Sequence, residues 1–253
     1  MLNEASMYAF LMVFLRASAL FLSSPVFGAQ TTPVPIRVLT TASLSAALTF
    51  VVKHSFGPPP DTLYGLVAVG IHEVLAGLLI GSFMSLALQV GQIAGGLMDL
   101  QIGLGTSQIM NPVTGVQVTV LAQYKFLLGV VLFLMCDAHH IVIQAFVKSY
   151  DAMPGLSMET LPLLQTSLIH LVTSVSLLSL QIAAPVMTIG LLMDGTFGLI
   201  NRAVPQIQIT NVGLPAKLGL GLIAVSFGLP AMTVGVVAAV NQAVIALGPM
   251  FHK

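Results

Sequence analysis

The chain has 253 residues, 57% of them hydrophobic and only 6% charged, with zero formal net charge. Soluble domains carry about 25% charged residues, so this composition excludes an ordinary soluble surface. With a mean hydropathy of +1.01, it marks an integral membrane protein or a subunit buried in a membrane assembly. The neutral balance gives no reason to expect a nucleic-acid partner.

The first apolar block, Ala5–Leu22, opens on Glu4 where a signal peptide would carry positive charge, and Arg16 interrupts it. It therefore predicts an uncleaved first helix. A Pro- and Gly-marked loop, Ser24–Pro35, leads to the second block, Ile36–Val52, and a second loop follows at Gly57–Pro60. A bilayer core needs roughly 20 helical residues, which these two blocks approach. The third block, Leu63–Met98, has no proline. As one helix it would be about 54 Å long, so it projects beyond the bilayer, tilts, or bends at its glycines.

Within that block Ser82, Ser85, Gln89, Gln92, Gly96 and Asp99 recur at steps of 3, 4, 3, 4 and 3, which places them on one helical stripe. Leu75, Leu79, Phe83, Leu86, Val90, Ile93 and Leu97 form the opposite side. Gly77/Gly81 and Gly91/Gly95 are two GxxxG pairs that let another backbone approach closely. The polar stripe suits a water-accessible passage, and it equally suits interhelical hydrogen bonding by Ser and Gln.

The helix then runs into DLQIGLGTSQIMNPVTGVQVT, Asp99–Thr119, which has no charge after Asp99. Gly103, Gly105 and Gly115 can hinge it, Asn111-Pro112 interrupts it, and Ile109-Met110 is its apolar centre. It reads as a flexible loop, either a plain solvent-exposed connection or a functional insert.

The fourth block, Val118–Met135 continuing to Val147, contains the chain's one cysteine, Cys136, which reads as a small buried hydrophobe. His139 and His140 are neighbours, so a regular helix would point them to different faces and not at one metal. The fifth and sixth blocks, Leu161–Met193 and Val212–Leu247, carry Pro185 and Pro230. Each proline should kink or split its block. Arg37, Arg202 and Lys217 fall on one side of a six-span topology, and Lys53, Lys148 and Lys253 on the other, so the positive-inside rule does not orient it.

Arg16, Glu73, Lys125, Asp137 and Asp194 lie within or beside apolar blocks. An ionised group at a span's centre costs about 2.5–3.5 kcal/mol, so each needs a partner, a cavity, protonation or a helix end. Arg16 with Glu73 makes a buried pair, and the sharper alternative is a proton site. His72-Glu73 begins an HExxH motif, but position 76 is alanine, so the zinc-binding face is missing. No nucleophile–base pair, P-loop or GxGxxG turn stands out. The expectation is a non-enzymatic chain without cofactor or metal. Arg202 and Lys217 are either helix-end charges or contacts to a partner.

Four ordered stretches resemble the FliR family of flagellar type III export-gate subunits and their virulence counterparts. They are RASALFLSSPVFGAQTTPVPIR from Arg16 to Arg37; Glu73, Gly77 and Gly81 with Gly91-Gln92, Asp99 and Gly103; DAHHIVIQAFVKSYDAMP from Asp137 to Pro154; and NRAVPQIQITNVGLPAKLGLGL from Asn201 to Leu222. The Asn111-Pro112 pair departs from the Asp-Pro that the family often shows.

The resemblance implies an all-α membrane-type fold of long kinked helices and hairpins, with a FliP-like part over 1–160 joined to a FliQ-like hairpin over 161–253. It implies a gate shared with FliP and FliQ subunits, with FlhB and FlhA as neighbours, in the bacterial inner membrane at the flagellar basal body and extending to the periplasmic side. Unfolded substrates would pass through it, with membrane lipid around it. The pore plug would lie at about 103–117, comprising Gly103, Gly105, Ile109, Met110, Asn111, Pro112 and Gly115. Ser85, Gln89, Gln92 and Asp99 would face the pore. A virulence-type homologue and a proton-coupled secondary transporter using Glu73 or Asp99 are the alternatives, although no internal repeat marks two transporter halves.

Overall fold

The computed structural model describes residues 4–26, 33–52, 57–105, 108–110, 117–152, 161–204 and 209–251. Eight helices follow in order: α1 Glu4–Ser23, α2 Val34–Val52, α3 Leu63–Ile102, α4 Val120–Met135, α5 Ala138–Ala152, α6 Leu161–Ala203, α7 Ile209–Phe227 and α8 Leu229–Phe251. The fold is all-α and membrane-type. Among the described residues, five helices are long and apolar enough to cross a membrane, and a sixth crossing arises if α4 and α5 count as one bent span.

The long third block is one uninterrupted helix of 40 residues, about 60 Å from end to end. The Thr62 side chain accepts a hydrogen bond from the Gly65 N–H at 3.2 Å and starts it. Gly103 ends it at φ 91°, a left-handed conformation that glycine adopts without penalty. There the Gly103 and Leu104 amides both donate to the Asp99 carbonyl, at 3.1 and 2.9 Å.

Around this axis pack α1, α4, α6 and α8. Their shared core includes Ile80, Phe83, Met84, Leu88, Met98 and Ile102 of α3, with Leu20, Phe133, Leu171, Val186 and Met232 from the neighbours. Glycines set the spacing. A Cβ on Gly77 would fall on the Arg16 carbonyl of α1, one on Gly81 would meet the Ser23 hydroxyl and the Leu20 carbonyl of α1, and one on Gly95 would sit 2.6 Å from the Ala122 Cα of α4. Ser179 of α6 stitches to α3 by donating to the Val90 carbonyl at 3.2 Å.

α2 is built inside out. Thr41, Ser45 and Thr49 face inward, and each hydroxyl donates to the carbonyl four residues back, at 2.8, 2.7 and 2.6 Å. Ile36, Val38, Leu39, Phe50 and Val51 face outward. Water would reverse that arrangement, whereas lipid or apolar partners tolerate it.

The two prolines behave differently. The sixth block is divided at Gly228, and Pro230 sits in the first turn of α8, where its missing N–H costs nothing. The fifth block is not divided: α6 runs through Pro185 for 43 residues. It also extends past the expected end at Met193 to Ala203. One lost backbone hydrogen bond does not break a helix that α3, α7 and α8 pack against along its length.

The fourth block breaks at Asp137. That residue has φ 53°, a conformation that Asp tolerates better than most residues, and α4 and α5 are bent by 71° across it. Cys136 lies at this break and is exposed. The expectation of a buried hydrophobe there is wrong, because a bend lifts its apex off the core.

The insert after α3 is also not a loop throughout. Gln108–Met110 (β1) and Gln117–Thr119 (β2) pair antiparallel, with Ile109 opposite Val118. The β-branched Ile109, Val118 and Thr119 favour extended backbone.

Candidate functional site

The polar edge of α3 is where the chain leaves its longest helix open. Ser82, Ser85, Gln89, Gln92 and Gly96 are all half-exposed, whereas Phe83, Val90 and the four packing glycines Gly77, Gly81, Gly91 and Gly95 are buried. The cause is the gearing of neighbours. α1 covers the Gly77/Gly81 side, α4 and Met232 of α8 cover the Gly91/Gly95 side, and α6 takes Val90. The strip that remains uncovered is uncharged. The Ser82 hydroxyl is satisfied within the helix by the Leu78 carbonyl. Leu75 and Ile93, on the side opposite the polar stripe, are exposed as well, so that side is only partly covered by neighbouring helices.

Asp99 leaves this strip and must be corrected as a pore-facing residue. It is 0% exposed, and its Oδ2 accepts hydrogen bonds from the Leu121 and Ala122 amides at 2.9 and 3.1 Å. Thr119 precedes α4 but makes no side-chain cap, so a carboxylate from another helix supplies the missing acceptor. That also places negative charge at the positive end of the α4 dipole. Asp99 thus clamps the two ends of the insert, the exit from α3 and the entry to α4.

Of the expected plug residues, Gly103 ends α3 and Gly105 follows it, packed near Leu100. Ile109 and Met110 lie in β1. Asn111, Pro112 and Gly115 lie outside the described residues.

The second polar centre is the buried charge of the first block. Arg16 donates from Nε to Glu73 Oε2 at 2.6 Å and from Nη2 to Oε1 at 3.0 Å, a two-pronged pair at 1% and 4% exposure. Its remaining Nη1 donates to Ser149 Oγ at 2.8 Å, and the Tyr150 ring lies 3.9 Å from the guanidinium carbon. One side chain of α1 thereby holds α3 and α5 together. Ser149 and Tyr150 are parts of this centre that sequence reasoning missed, because nothing in the chain relates residues 133 positions apart.

The other charges within or beside the apolar blocks fall into four situations. Lys217 of α7 donates to both carboxylate oxygens of Asp194 at 2.7 and 2.8 Å, and Gln101 Nε2 reaches Asp194 Oδ2 at 3.1 Å. Lys217 is therefore engaged within the chain. Arg202 is exposed in the last turn of α6, where positive charge suits the helix dipole. Lys125 is fully buried, and its Nζ has no hydrogen-bond partner, nor do the amide atoms of Gln123 on the same helix. Asp137, His139 and His140 cluster at the α4–α5 break, with the two imidazole centroids 4.2 Å apart. The expectation that these histidines diverge fails because they open a helix just after a bend.

The family described as bacterial export proteins, family 1, matches residues 7–243, nearly all of the chain. The chain belongs to this family. The export-family assignment is supported by individual relatives. The flagellar biosynthetic protein FliR of Caulobacter vibrioides is 34% identical over 227 residues, covering 89% of this chain and 90% of the relative. The flagellar biosynthetic protein FliR of Bacillus subtilis is 28% identical over 85% of this chain and 83% of its own length. The surface presentation of antigens protein SpaR of Shigella flexneri is 25% identical over 81% of this chain and 78% of its own length. These matches extend over most of both chains and are not confined to one motif.

Proposed function

We propose that this export-family chain is a non-enzymatic subunit of a flagellar type III export gate, lining part of the channel that unfolded flagellar substrates cross. Membership of the family over residues 7–243 supports the export role, and the flagellar names of relatives 34% and 28% identical to the chain favour that system over a virulence one. The observation that carries the channel reading is the uncharged, half-exposed strip Ser85, Gln89 and Gln92 on α3. It leads through Gly103 into the uncharged insert. A passage for extended polypeptides of any sequence needs walls that hydrogen-bond weakly and do not trap charge.

On this reading Gly103–Gly115 forms the core of a plug spanning about residues 103–117. Thirteen residues reach about 45 Å extended, or half that as a returning loop, enough to close a polypeptide-sized pore. Asp99 anchors its base, because the same carboxylate ties the α3 exit to the α4 entry. α1–α5 form the FliP-like part and α6–α8 the FliQ-like hairpin. FliP and FliQ subunits cover the apolar outer faces, with FlhB and FlhA adjacent and lipid around the rim. The gate sits in the inner membrane at the flagellar basal body and extends to the periplasmic side.

A proton-coupled transporter is the weaker reading. Its two carboxylates are already engaged, Glu73 by Arg16 and Asp99 by the α4 amides.

Deleting residues 106–114 tests the plug. With assembly normal, leakage of small solutes across the membrane should rise. Unchanged leakage would sink the plug.

A further inference from the structure

The break between α4 and α5 gathers three metal-ligating side chains. One ligand atom from each of Asp137, His139 and His140 lies within 4.8 Å of the other two. A regular helix would not do this, since consecutive residues diverge around the axis. Here Asp137 has φ 53° and the axis turns by 71°. The carboxylate therefore folds over the first turn of α5, and Asp137 Oδ1 comes 3.4 Å from His140 Nδ1. The two imidazole rings lie obliquely over one another, with centroids 4.2 Å apart and planes at 36°.

Two further features point to a ligand. His139 Nδ1 is shielded from solvent and has no hydrogen-bond partner, whereas shielded polar nitrogens normally find one. The other two side chains remain open to an incoming ion, His140 being 63% and Asp137 75% exposed. Around Zn²⁺, with ligands at about 2.0–2.2 Å in a tetrahedron, donor atoms stand roughly 3.4 Å apart.

We propose that Asp137, His139 and His140 form a binding site for a divalent transition-metal ion, with Zn²⁺ as the reference case and water completing the tetrahedron. Two imidazoles and a carboxylate suit Zn²⁺, Ni²⁺ or Cu²⁺, and they do not suit Mg²⁺ or Ca²⁺, which prefer all-oxygen shells. Because Asp137 lies in the break and both histidines open α5, the ion would staple the bend. It would also fix the direction in which α5 leaves α4 and presents Ser149 and Tyr150 to Arg16.

The test uses the full-length chain in detergent, stripped with chelator, then titrated with Zn²⁺ by equilibrium dialysis and with Co²⁺ by visible absorption. One ion per chain and a tetrahedral Co²⁺ spectrum are expected. His139→Ala or Asp137→Asn should weaken binding by at least the roughly 10- to 100-fold that loss of a supporting group costs a metal site. His140→Ala removes an exposed side chain that the fold does not need, so it must weaken binding while leaving helicity intact. Cys136→Ser and His170→Ala should bind as the parent does. Absence of stoichiometric binding by the parent chain overturns the site. So does binding that survives His139→Ala with His140→Ala, or binding that is lost in Cys136→Ser.

Discussion

At the residue scale the chain is governed by what it does with buried charge. Arg16 has donors to spare and Glu73 has two acceptor oxygens. The pair meets in a two-pronged geometry at 2.6 and 3.0 Å. Removing one member strands the other in an apolar core, at a cost of about 3–5 kcal/mol, whereas replacing both with apolar residues of similar volume is close to neutral. Arg16→Met and Glu73→Leu should each lower the thermal unfolding midpoint of the detergent-solubilised chain markedly, followed by circular dichroism. The double variant should recover most of the loss. Losses that simply add would mean that the two side chains are not energetically coupled. The cost of an isolated charge in an apolar block demands a partner for Arg16, but no local sequence pattern points to Ser149 or Tyr150. Those residues reach the guanidinium only because α5 is turned at Asp137. Asp99 shows the same limit. Its place on a polar stripe follows from helical spacing, but its 0% exposure follows from the start of α4 arriving beside it after the insert.

At the element scale, α3 is a spindle whose glycines decide how near its neighbours come. Gly95 and Gly96 are adjacent, yet they sit in opposite environments. A Cβ at Gly95 would lie 2.6 Å from both the Ala122 Cα and the Leu121 carbonyl oxygen of α4, whereas at Gly96 nothing lies within 4 Å. Gly95→Ala should therefore force α3 and α4 apart and cost about 1–3 kcal/mol, as overpacking does. Gly96→Ala should stabilise by up to about 1 kcal/mol through helix propensity alone. Thermal melts of the two variants should move in opposite directions, and equal shifts would refute this account of the α3–α4 contact. The helices themselves were legible in the sequence, because blocks such as Leu63–Met98 are long, apolar and free of breakers. The breaks were legible only in part. Pro230 and Pro185 look alike in sequence, but the chain divides at Gly228 and not at Pro185. The difference lies in the tertiary packing along α6, which no local pattern carries. The bend at Asp137 rests on a single left-handed residue, so periodicity through Cys136, His139 and His140 gave wrong directions for all three side chains.

At the scale of the whole molecule, the outer surface divides into two chemistries. Val38, Leu39 and Phe50 of α2 and Leu191, Leu192 and Leu199 of α6 are exposed and apolar, which lipid or an apolar partner can cover at no electrostatic cost. The α3 strip is different, because the half-exposed amides of Gln89 and Gln92 facing hydrocarbon would each lose hydrogen bonds worth several kcal/mol on the order of the cost of burying an unpaired amide. In the assembled protein that strip must meet either polar groups of a partner or water, and the two alternatives separate experimentally. In a Cys136→Ser background, Ser85→Cys, Gln89→Cys and Gln92→Cys should react with a membrane-impermeant maleimide. They should react faster when residues 106–114 are also deleted, as the proposed plug role requires. Leu192→Cys, on the apolar side, should stay unmodified in both backgrounds. If the three strip cysteines are inert even in the deletion background, with assembly intact, the strip is a dry helix–helix contact. That outcome would remove the α3 strip as support for the proposed channel.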